Sequence, residues 1–280
     1  MSVKKEASGR RSVQVEIEVP GTPEEVWQAI ATGPGISSWF VPTRMEERQE
    51  GEIVSNFEPG MDSPATITTW DAPKRFVAEG AMGGPGSPTM ASEWTVEAKA
   101  GGKCLVRVVN SLFSETDDWD NQLDGLEQGW PTYFRILRIY LEKYKGMPCS
   151  RMQLVGFSTD SEAKAWEKAG GALGLLKVTP GQKWIAPEGF PQMSGVVDSL
   201  GVVDSLGKGC HANTLLLRLD TPAPGSAWIG ALSCGGMVVV FMSVYFYGDK
   251  AKAALDRDEP TWQKWMAERF PMPAESTKSK

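Results

Sequence analysis

Residues 117–144, with the sequence DDWDNQLDGLEQGWPTYFRILRIYLEKY, decide the fold of this chain. After Gly129 the large apolar residues recur at spacings of three and four, which is typical of one broad helical face. They are Trp130, Tyr133, Phe134, Leu137, Tyr140, Leu141 and Tyr144. The pattern predicts a long helix that other elements must cover. Because proline lacks an N–H, Pro131 predicts that the helix starts or kinks at 129–131.

The composition excludes several classes of protein. The chain has 280 residues, 23% of them charged, and a net charge of −6, without a concentration of Lys and Arg for nucleic acid or an anionic membrane. The N-terminus has no signal-peptide pattern, and the apolar run 236–247 is too short to span a bilayer. We therefore expect a cytoplasmic protein of two domains. The four cysteines match no metal or redox spacing, which predicts reduced thiols, no metal and no cofactor.

The residues before the long helix predict an antiparallel sheet. SVQVEIEV at 12–19 alternates as a half-buried strand does, and Thr22 and Glu25 form a capping-box pattern around Pro23. A second short helix is expected around Trp39. Six strand candidates separated by turn signals follow, at 44–48, 51–58, 65–71, 75–79, 91–98 and 103–112. Consecutive hairpins then place the apolar helix on the concave face of one sheet.

This order of elements resembles the START/Bet v 1-like (SRPBCC) superfamily over residues 12–146. The marks are PEEVWQAIATGPGISSWFVP at 23–42, the strand start at 51–53, the WDAPKRF turn at 70–76 and the late Gly129–Trp130 helix. Within the superfamily the chain is similar to the branch named for the activator of Hsp90 ATPase. The resemblance implies an α+β helix-grip fold, in which a curved antiparallel sheet wraps around a C-terminal helix and leaves an apolar cavity between them.

The second half repeats the same order. A strand is predicted at 151–157, SEAKAW at 161–166 aligns without gaps with TPEEVW at 22–27, and further strands precede a closing helix at 249–270. We predict a disordered tail at 1–11, a helix-grip domain at 12–146, a divergent helix-grip-like domain at 150–271 and a tail at 272–280. The alternative is an accessory region that packs on the first domain. The duplication GVVDSL at 195–200 and 201–206 predicts either a longer strand or a tolerated loop insertion.

No catalytic centre is evident. His211 is the single histidine, and no G-x-S-x-G, phosphate-binding or dinucleotide-binding glycine pattern is present. The acidic cluster Glu115, Asp117, Asp118 and Asp120 is expected to favour the positive end of the helix dipole, with calcium binding or general acid catalysis as alternatives. The Gly/Pro-rich segment 80–88 predicts either a long hairpin loop or a mobile flap at a cavity mouth.

The aromatic residues of the first half are more numerous than one compact core requires. Together they predict the flat walls of an apolar cavity, with Arg44, Asn110, Ser111 and Tyr133 as polar groups that orient a guest. The predicted ligand-binding residues are Trp39, Phe40, Arg44, Phe57, Trp70, Trp94, Asn110, Trp130, Tyr133, Phe134 and Leu137.

Three functions fit these expectations. The first is a protein that holds a hydrophobic or polycyclic small molecule, as the antibiotic-sequestering members of the superfamily do. The second is an enzyme similar to polyketide aromatase/cyclases, which would need a titratable group inside the pocket. The third, a chaperone partner, follows from the family name and requires a docking surface. The residues favour the first function.

Overall fold

A computed structural model describes residues 3–6, 9–57, 61–81, 87–114, 120–201, 213–234 and 237–272, without the side chains of 120–122, 124–128 and 234. The chain divides into two compact units, residues 1–146 and 147–280. Each unit contains one antiparallel sheet, so the α+β class is confirmed. Within the described residues, no helix has the length and apolarity needed to cross a membrane.

The first unit consists of one sheet, two short helices and one long helix. The sheet order is β1-β2-β8-β7-β6-β5-β4-β3, with every neighbouring pair antiparallel. Its elements are β1 (Lys4–Lys5), β2 (Arg10–Pro20), α1 (Pro23–Ile30), α2 (Gly33–Ser37), β3 (Thr43–Met45), β4 (Glu52–Asn56), β5 (Asp62–Asp71), β6 (Arg75–Ala81), β7 (Thr89–Lys99), β8 (Lys103–Phe113) and α3 (Asp120–Lys143). All six predicted strands between 44 and 112 are present.

The start of α1 has the predicted capping box. Thr22 Oγ1 accepts a hydrogen bond from the Glu25 amide at 3.3 Å, and Glu25 Oε2 accepts one from the Thr22 amide at 3.1 Å. Pro23 occupies the first turn, where its missing N–H removes no helical hydrogen bond. The helix then buries Val26, Trp27 and Ile30.

The long helix α3 has the predicted apolar face. Phe134, Leu137 and the other residues of the face are buried, except for the half-buried Tyr133, and α3 lies against β2. Of the two outcomes expected at 129–131, a helix start is wrong, because α3 begins at Asp120 and continues through Pro131, and a kink there stays a prediction. A proline inside a helix removes one N–H hydrogen bond, and tertiary packing of the apolar face can offset that loss.

The N-terminal segment contributes a short strand to the first sheet. Lys4 and Lys5 form β1, which pairs with Ser12 and Arg11 of β2. The Gly9 amide donates a hydrogen bond to the Glu6 carbonyl at 3.0 Å. Gly9 has φ of 81°, a conformation that favours glycine. Residues 273–280, in the expected C-terminal tail, lie outside the described residues.

The second unit repeats the order strand, helix, strands, helix. Its elements are β9 (Cys149–Ser158), α4 (Glu162–Ala172), β10 (Lys183–Ile185), β11 (Ser194–Leu200), β12 (Thr214–Thr221), β13 (Gly225–Cys234), β14 (Met237–Tyr247) and α5 (Ala251–Arg269). The sheet order is β10-β11-β12-β13-β14-β9, so the first strand pairs with the last, as β2 pairs with β8. Helix α5 lies against β9 and β14. Among the described residues this sheet has six strands, against eight in the first unit.

The first GVVDSL copy lies on β11. Register shifts interrupt its pairing with β12 between Ser194 and Gly195 and between Val197 and Ser199. Irregular pairing of this kind accommodates an extra residue without moving the side chains of the whole strand to the opposite face of the sheet. Residues 202–206 of the second copy lie outside the described residues.

Candidate functional site

The centre of the first sheet is lined with small side chains. Strands β6 and β7 pair Phe76 with Trp94, Ala78 with Ser92 and Gly80 with Met90, and paired residues face the same side of a sheet. The large rings therefore lie at one end of the two strands, while Ala78, Ser92 and Gly80 occupy the middle and the other end. This distribution leaves space between the sheet and α3.

Gly80 shows how closely the strands approach at this point. A Cβ atom placed there would lie 2.5 Å from the carbonyl oxygen of Pro64 on β5, a distance that real Cβ atoms do not adopt. The cavity floor thus depends on a residue without a side chain.

Aromatic rings enclose the space. The rings of Phe40 and Trp130 are stacked at 5.1 Å with an interplanar angle of 22°, and Trp94 meets Trp130 edge to face at 5.1 Å. Phe57 meets Phe40 edge to face at 5.8 Å, and Trp39 lies 6.1 Å from Trp94. Each of these rings therefore packs against at least one other ring of the wall.

These residues enclose a cavity of about 130 Å³. Its described lining contains aromatic, aliphatic and small polar side chains but no Asp, Glu, Lys, Arg or His. The lining residues are Ile36, Trp39, Phe40, Ile53, Ser55, Phe57, Ser63, Pro64, Ala65, Phe76, Ala78, Gly80, Ala81, Met90, Ser92, Trp94, Asn110 and Trp130. Ser63, Pro64 and Ala81 are exposed, which places the cavity mouth at the start of β5 and the end of β6.

The polar end of the cavity is built around Asn110, which is 1% exposed. The indole Nε1 of Trp130 donates a hydrogen bond to Asn110 Oδ1 at 2.7 Å. Asn110 Nδ2 in turn donates to Ser92 Oγ at 2.7 Å. The chain of hydrogen bonds links α3 to β8 and β7, and it keeps the buried amide satisfied in an apolar surrounding.

Six of the predicted site residues line the cavity: Trp39, Phe40, Phe57, Trp94, Asn110 and Trp130. Their role in ligand binding stays a prediction. Tyr133 is half-buried and meets Phe40 edge to face at 4.6 Å. Phe134 and Leu137 are buried in the core without lining the cavity. Trp70 packs on Trp27 at 5.1 Å and is likewise absent from the lining.

Two polar candidates face elsewhere. Arg44 is exposed and pairs with Val54, whereas the cavity is lined by Ile53 and Ser55, so strand alternation places Arg44 on the other face. Ser111 follows Asn110 on β8 and therefore faces away from it; its Oγ accepts a hydrogen bond from Arg10 Nη2 at 3.4 Å. Neither side chain lines the cavity, and a role for the two in orienting a guest stays a prediction.

Sequence reasoning missed the small residues of the lining. Ala78 and Gly80 follow Phe76 at period two, and Met90 and Ser92 precede Trp94 in the same way. This alternation could have placed all of them on one face. The sequence offered no comparable signal that Ala78 and Ser92 lie side by side, because that depends on the pairing register.

Other predicted features contribute little to a site. Glu115, Asp117, Asp118, His211 and residues 82–86 of the predicted flap lie outside the described residues, as does the side chain of Asp120. Among the described side chains, no group of three or more His, Cys, Asp or Glu could hold a metal ion. Burial raises the pKa of the Cys149 thiol to about 12, and desolvation likewise raises the pKa of Cys104. Neither thiol is therefore activated as a nucleophile at neutral pH.

Comparison with known proteins gives one family match. Residues 20–142 match the family described as Activator of Hsp90 ATPase homolog 1-like protein. No curated protein matches the chain. The match lies within the first unit, which carries the cavity.

Several solved structures are similar to the chain. CalU16 from Micromonospora echinospora has 18% identity and a TM-score of 0.41, over 51% of this chain and 83% of its own. DynU16, from the dynemicin biosynthetic locus, has 15% identity and a TM-score of 0.41, over 91% and 96%. The di-domain ARO/CYC protein BexL, from the BE-7585A biosynthetic pathway, has 12% identity and a TM-score of 0.44, over 94% and 100%.

Proposed function

We propose that the first unit binds a neutral, largely apolar small molecule in the cavity between α3 and the sheet. The observation that carries the proposal is the lining itself, in which preformed aromatic walls meet a few neutral polar groups and no charged side chain. Burying an unpaired charge in such a site is very unfavourable, whereas burying an apolar ring is favourable. The expected guest is therefore uncharged.

The volume limits what the cavity holds. An engineered apolar cavity of about 150 Å³ takes up benzene, and the cavity here measures about 130 Å³. One ring fits this space. A polycyclic guest would place one ring against Trp94 and Trp130 and extend its remainder through the mouth beside Ser63 and Ala81.

A fragment of this size binds weakly. Small ligands gain between about 0.3 and 1.5 kcal/mol for each non-hydrogen atom. At about 0.5 to 0.7 kcal/mol for each of its nine non-hydrogen atoms, isopropylbenzene would bind with roughly −4 to −6 kcal/mol, or a dissociation constant of about 0.05 to 1 mM. A larger natural guest would bind more tightly through the ring systems outside the cavity.

The lining favours binding over catalysis. An aromatase/cyclase needs a positioned acid or base of suitable pKa, and the described lining offers only serine hydroxyls and one amide. A cavity that encloses a guest without such a group suits carriage or sequestration. The co-chaperone alternative rests on the family description alone and has no observation of the site behind it.

The test fills the cavity without removing a wall. Ala78 lines the cavity, so we expect Ala78→Met to occupy the space of the guest while adding apolar contacts. Ala91, half-buried on the neighbouring strand, is absent from the lining, which makes Ala91→Met the matched control. Isothermal titration of the intact chain with isopropylbenzene measures the affinity, and thermal unfolding checks the fold.

We expect native protein and Ala91→Met to bind isopropylbenzene with similar affinity, and Ala78→Met to bind at least about tenfold more weakly at an unchanged or higher melting temperature. Undetectable binding by the native chain, or equal binding by Ala78→Met, would contradict the proposal.

A further inference from the structure

The hydrogen-bond chain at the polar end of the cavity has a fixed direction. An indole Nε1–H can donate but cannot accept, so the atom of Asn110 that faces Trp130 must be the amide oxygen. The amide nitrogen then faces Ser92, and it can only donate. Trp130 thus decides the orientation of the Asn110 amide, which could otherwise be assigned either way.

The same reasoning fixes the direction of the hydrogen bond at Ser92. Because Ser92 Oγ accepts the hydrogen bond from Asn110 Nδ2, its own proton must point in another direction. Ser92 lines the cavity, and among the residues that the structure describes none accepts a hydrogen bond from its hydroxyl. The chain Trp130–Asn110–Ser92 therefore ends in an O–H donor with no described protein acceptor. Successive hydrogen bonds of one direction polarise each other, which strengthens the terminal donor.

Resting on the proposed function, we infer that Ser92 is a specificity-determining residue whose hydroxyl donates a hydrogen bond to an acceptor atom of the guest. The guest class is a neutral aromatic compound that carries a carbonyl or similar oxygen on the ring that enters the cavity. A guest with only a donor group finds no matching partner at Ser92, and a pure hydrocarbon leaves the hydroxyl without a hydrogen bond.

The aromatic walls and the donor act on different parts of this guest. Trp94 and Trp130 contact the flat face of a ring, and they do so equally well for rings with and without an oxygen. Ser92 acts only on the oxygen. Selectivity between an acceptor ligand and its hydrocarbon analogue therefore reports on Ser92, while affinity for the hydrocarbon reports on the cavity.

The experiment uses acetophenone and isopropylbenzene, which have the same number of non-hydrogen atoms and the same branching, with a carbonyl oxygen in one where the other has a methyl group. Titration calorimetry on the intact chain gives the ratio of their dissociation constants. We expect Ser92→Ala to reduce the preference for acetophenone by about five- to tenfold, the effect of one neutral hydrogen bond. Affinity for isopropylbenzene should stay close to native.

Two further variants make the result specific. Thr95→Val removes a hydroxyl from β7, the strand of Ser92, at a position absent from the cavity lining, and should leave the ratio unchanged. Ser92→Cys keeps a side chain between the guest and Asn110 but offers a weak donor, so the ratio should fall as it does in Ser92→Ala. This variant excludes direct rescue of the guest carbonyl by the Asn110 amide.

The outcomes separate the two proposals. If native protein binds neither compound, the proposed function is wrong and the inference is wrong with it. If both compounds bind and the ratio is the same in native protein, Ser92→Ala and Ser92→Cys, the cavity is a binding site but Ser92 does not select its guest.

Discussion

The side chains of Trp130 and Asn110 should be energetically coupled through the hydrogen bond between them. Both side chains are buried, 6% and 1% exposed, and the bond is 2.7 Å long. Asn110→Ala removes this bond and the bond to Ser92, and it leaves a buried indole N–H without an acceptor. From net values of about 1 kcal/mol for each bond and about 1–3 kcal/mol for an unsatisfied group, we expect a loss of about 3–5 kcal/mol.

Trp130→Phe removes the indole N–H in advance. In that background Asn110→Ala breaks only the bond to Ser92 and leaves no orphaned donor on the helix. Its cost in free energy of unfolding should therefore be about 2–4 kcal/mol smaller than in native protein. Phe134→Leu is the matched control, because Phe134 contacts Trp130 at 5.7 Å between ring centroids but makes no side-chain hydrogen bond to Asn110. Asn110→Ala should cost the same with and without it.

The assay must report on the first unit alone, because the chain contains two units. Hydrogen exchange of peptides from residues 103–113, measured across a urea series, gives the free energy of unfolding around β8. A coupling energy below about 0.5 kcal/mol between Trp130→Phe and Asn110→Ala would refute the argument. An equal coupling energy between Asn110→Ala and Phe134→Leu would also refute it, because the effect would then arise from packing.

Three further predictions follow from other parts of the chain. Gly35→Ala places a Cβ atom 1.9 Å from a backbone oxygen of α1 and should lower the free energy of unfolding by about 2 kcal/mol or more. The Cβ atom of Gly129→Ala on α3 meets nothing within 4 Å, so this substitution should raise the free energy of unfolding by about 0.5–1 kcal/mol. Urea titration compares the two variants. Peptide-level mass spectrometry at pH 8 should find Cys149 unmodified by iodoacetamide in folded protein and modified in urea, since its pKa of about 12 keeps the thiol protonated; rapid modification of the folded chain would contradict this. The Lys145 side chain, 2.6 Å from Glu25, lowers the pKa of that carboxyl. The ion pair therefore stabilises the fold above the unfolded pKa of Glu25, and this contribution is lost as pH falls through the lower folded pKa. Lys145→Met should raise the Glu25 pKa in an NMR titration, and an unchanged value would refute the ion pair.

Local patterns in the sequence determined the elements and their order. Alternation at 12–19 predicted β2, and the spacing of Thr22, Pro23 and Glu25 predicted a helix start that the structure confirms. The apolar face of α3 was legible because a helix places residues three and four apart on one side. The repeated order of elements in the second unit could be recognised for the same reason, because each element has its own local sequence pattern.

The start of α3 was not determined in this way. Pro131 predicted a helix start or a kink because a proline removes a helical hydrogen bond, and the structure rules out the start by continuing the helix through it. The favourable packing of Trp130 and Phe134 against other rings involves residues far away in sequence. A local rule cannot weigh that contribution.

What tertiary structure alone decided is the cavity and its polar end. The sequence identified most of the aromatic walls, because large rings are conspicuous wherever they occur. It did not identify the space between them, which exists because strand register brings Ala78, Ser92 and Asn110 into one row beneath Trp130. Alternation fixes the face of a residue within its own strand, but which residues become neighbours across strands depends on hydrogen-bond pairing between distant segments, and that pairing determines whether a cavity opens.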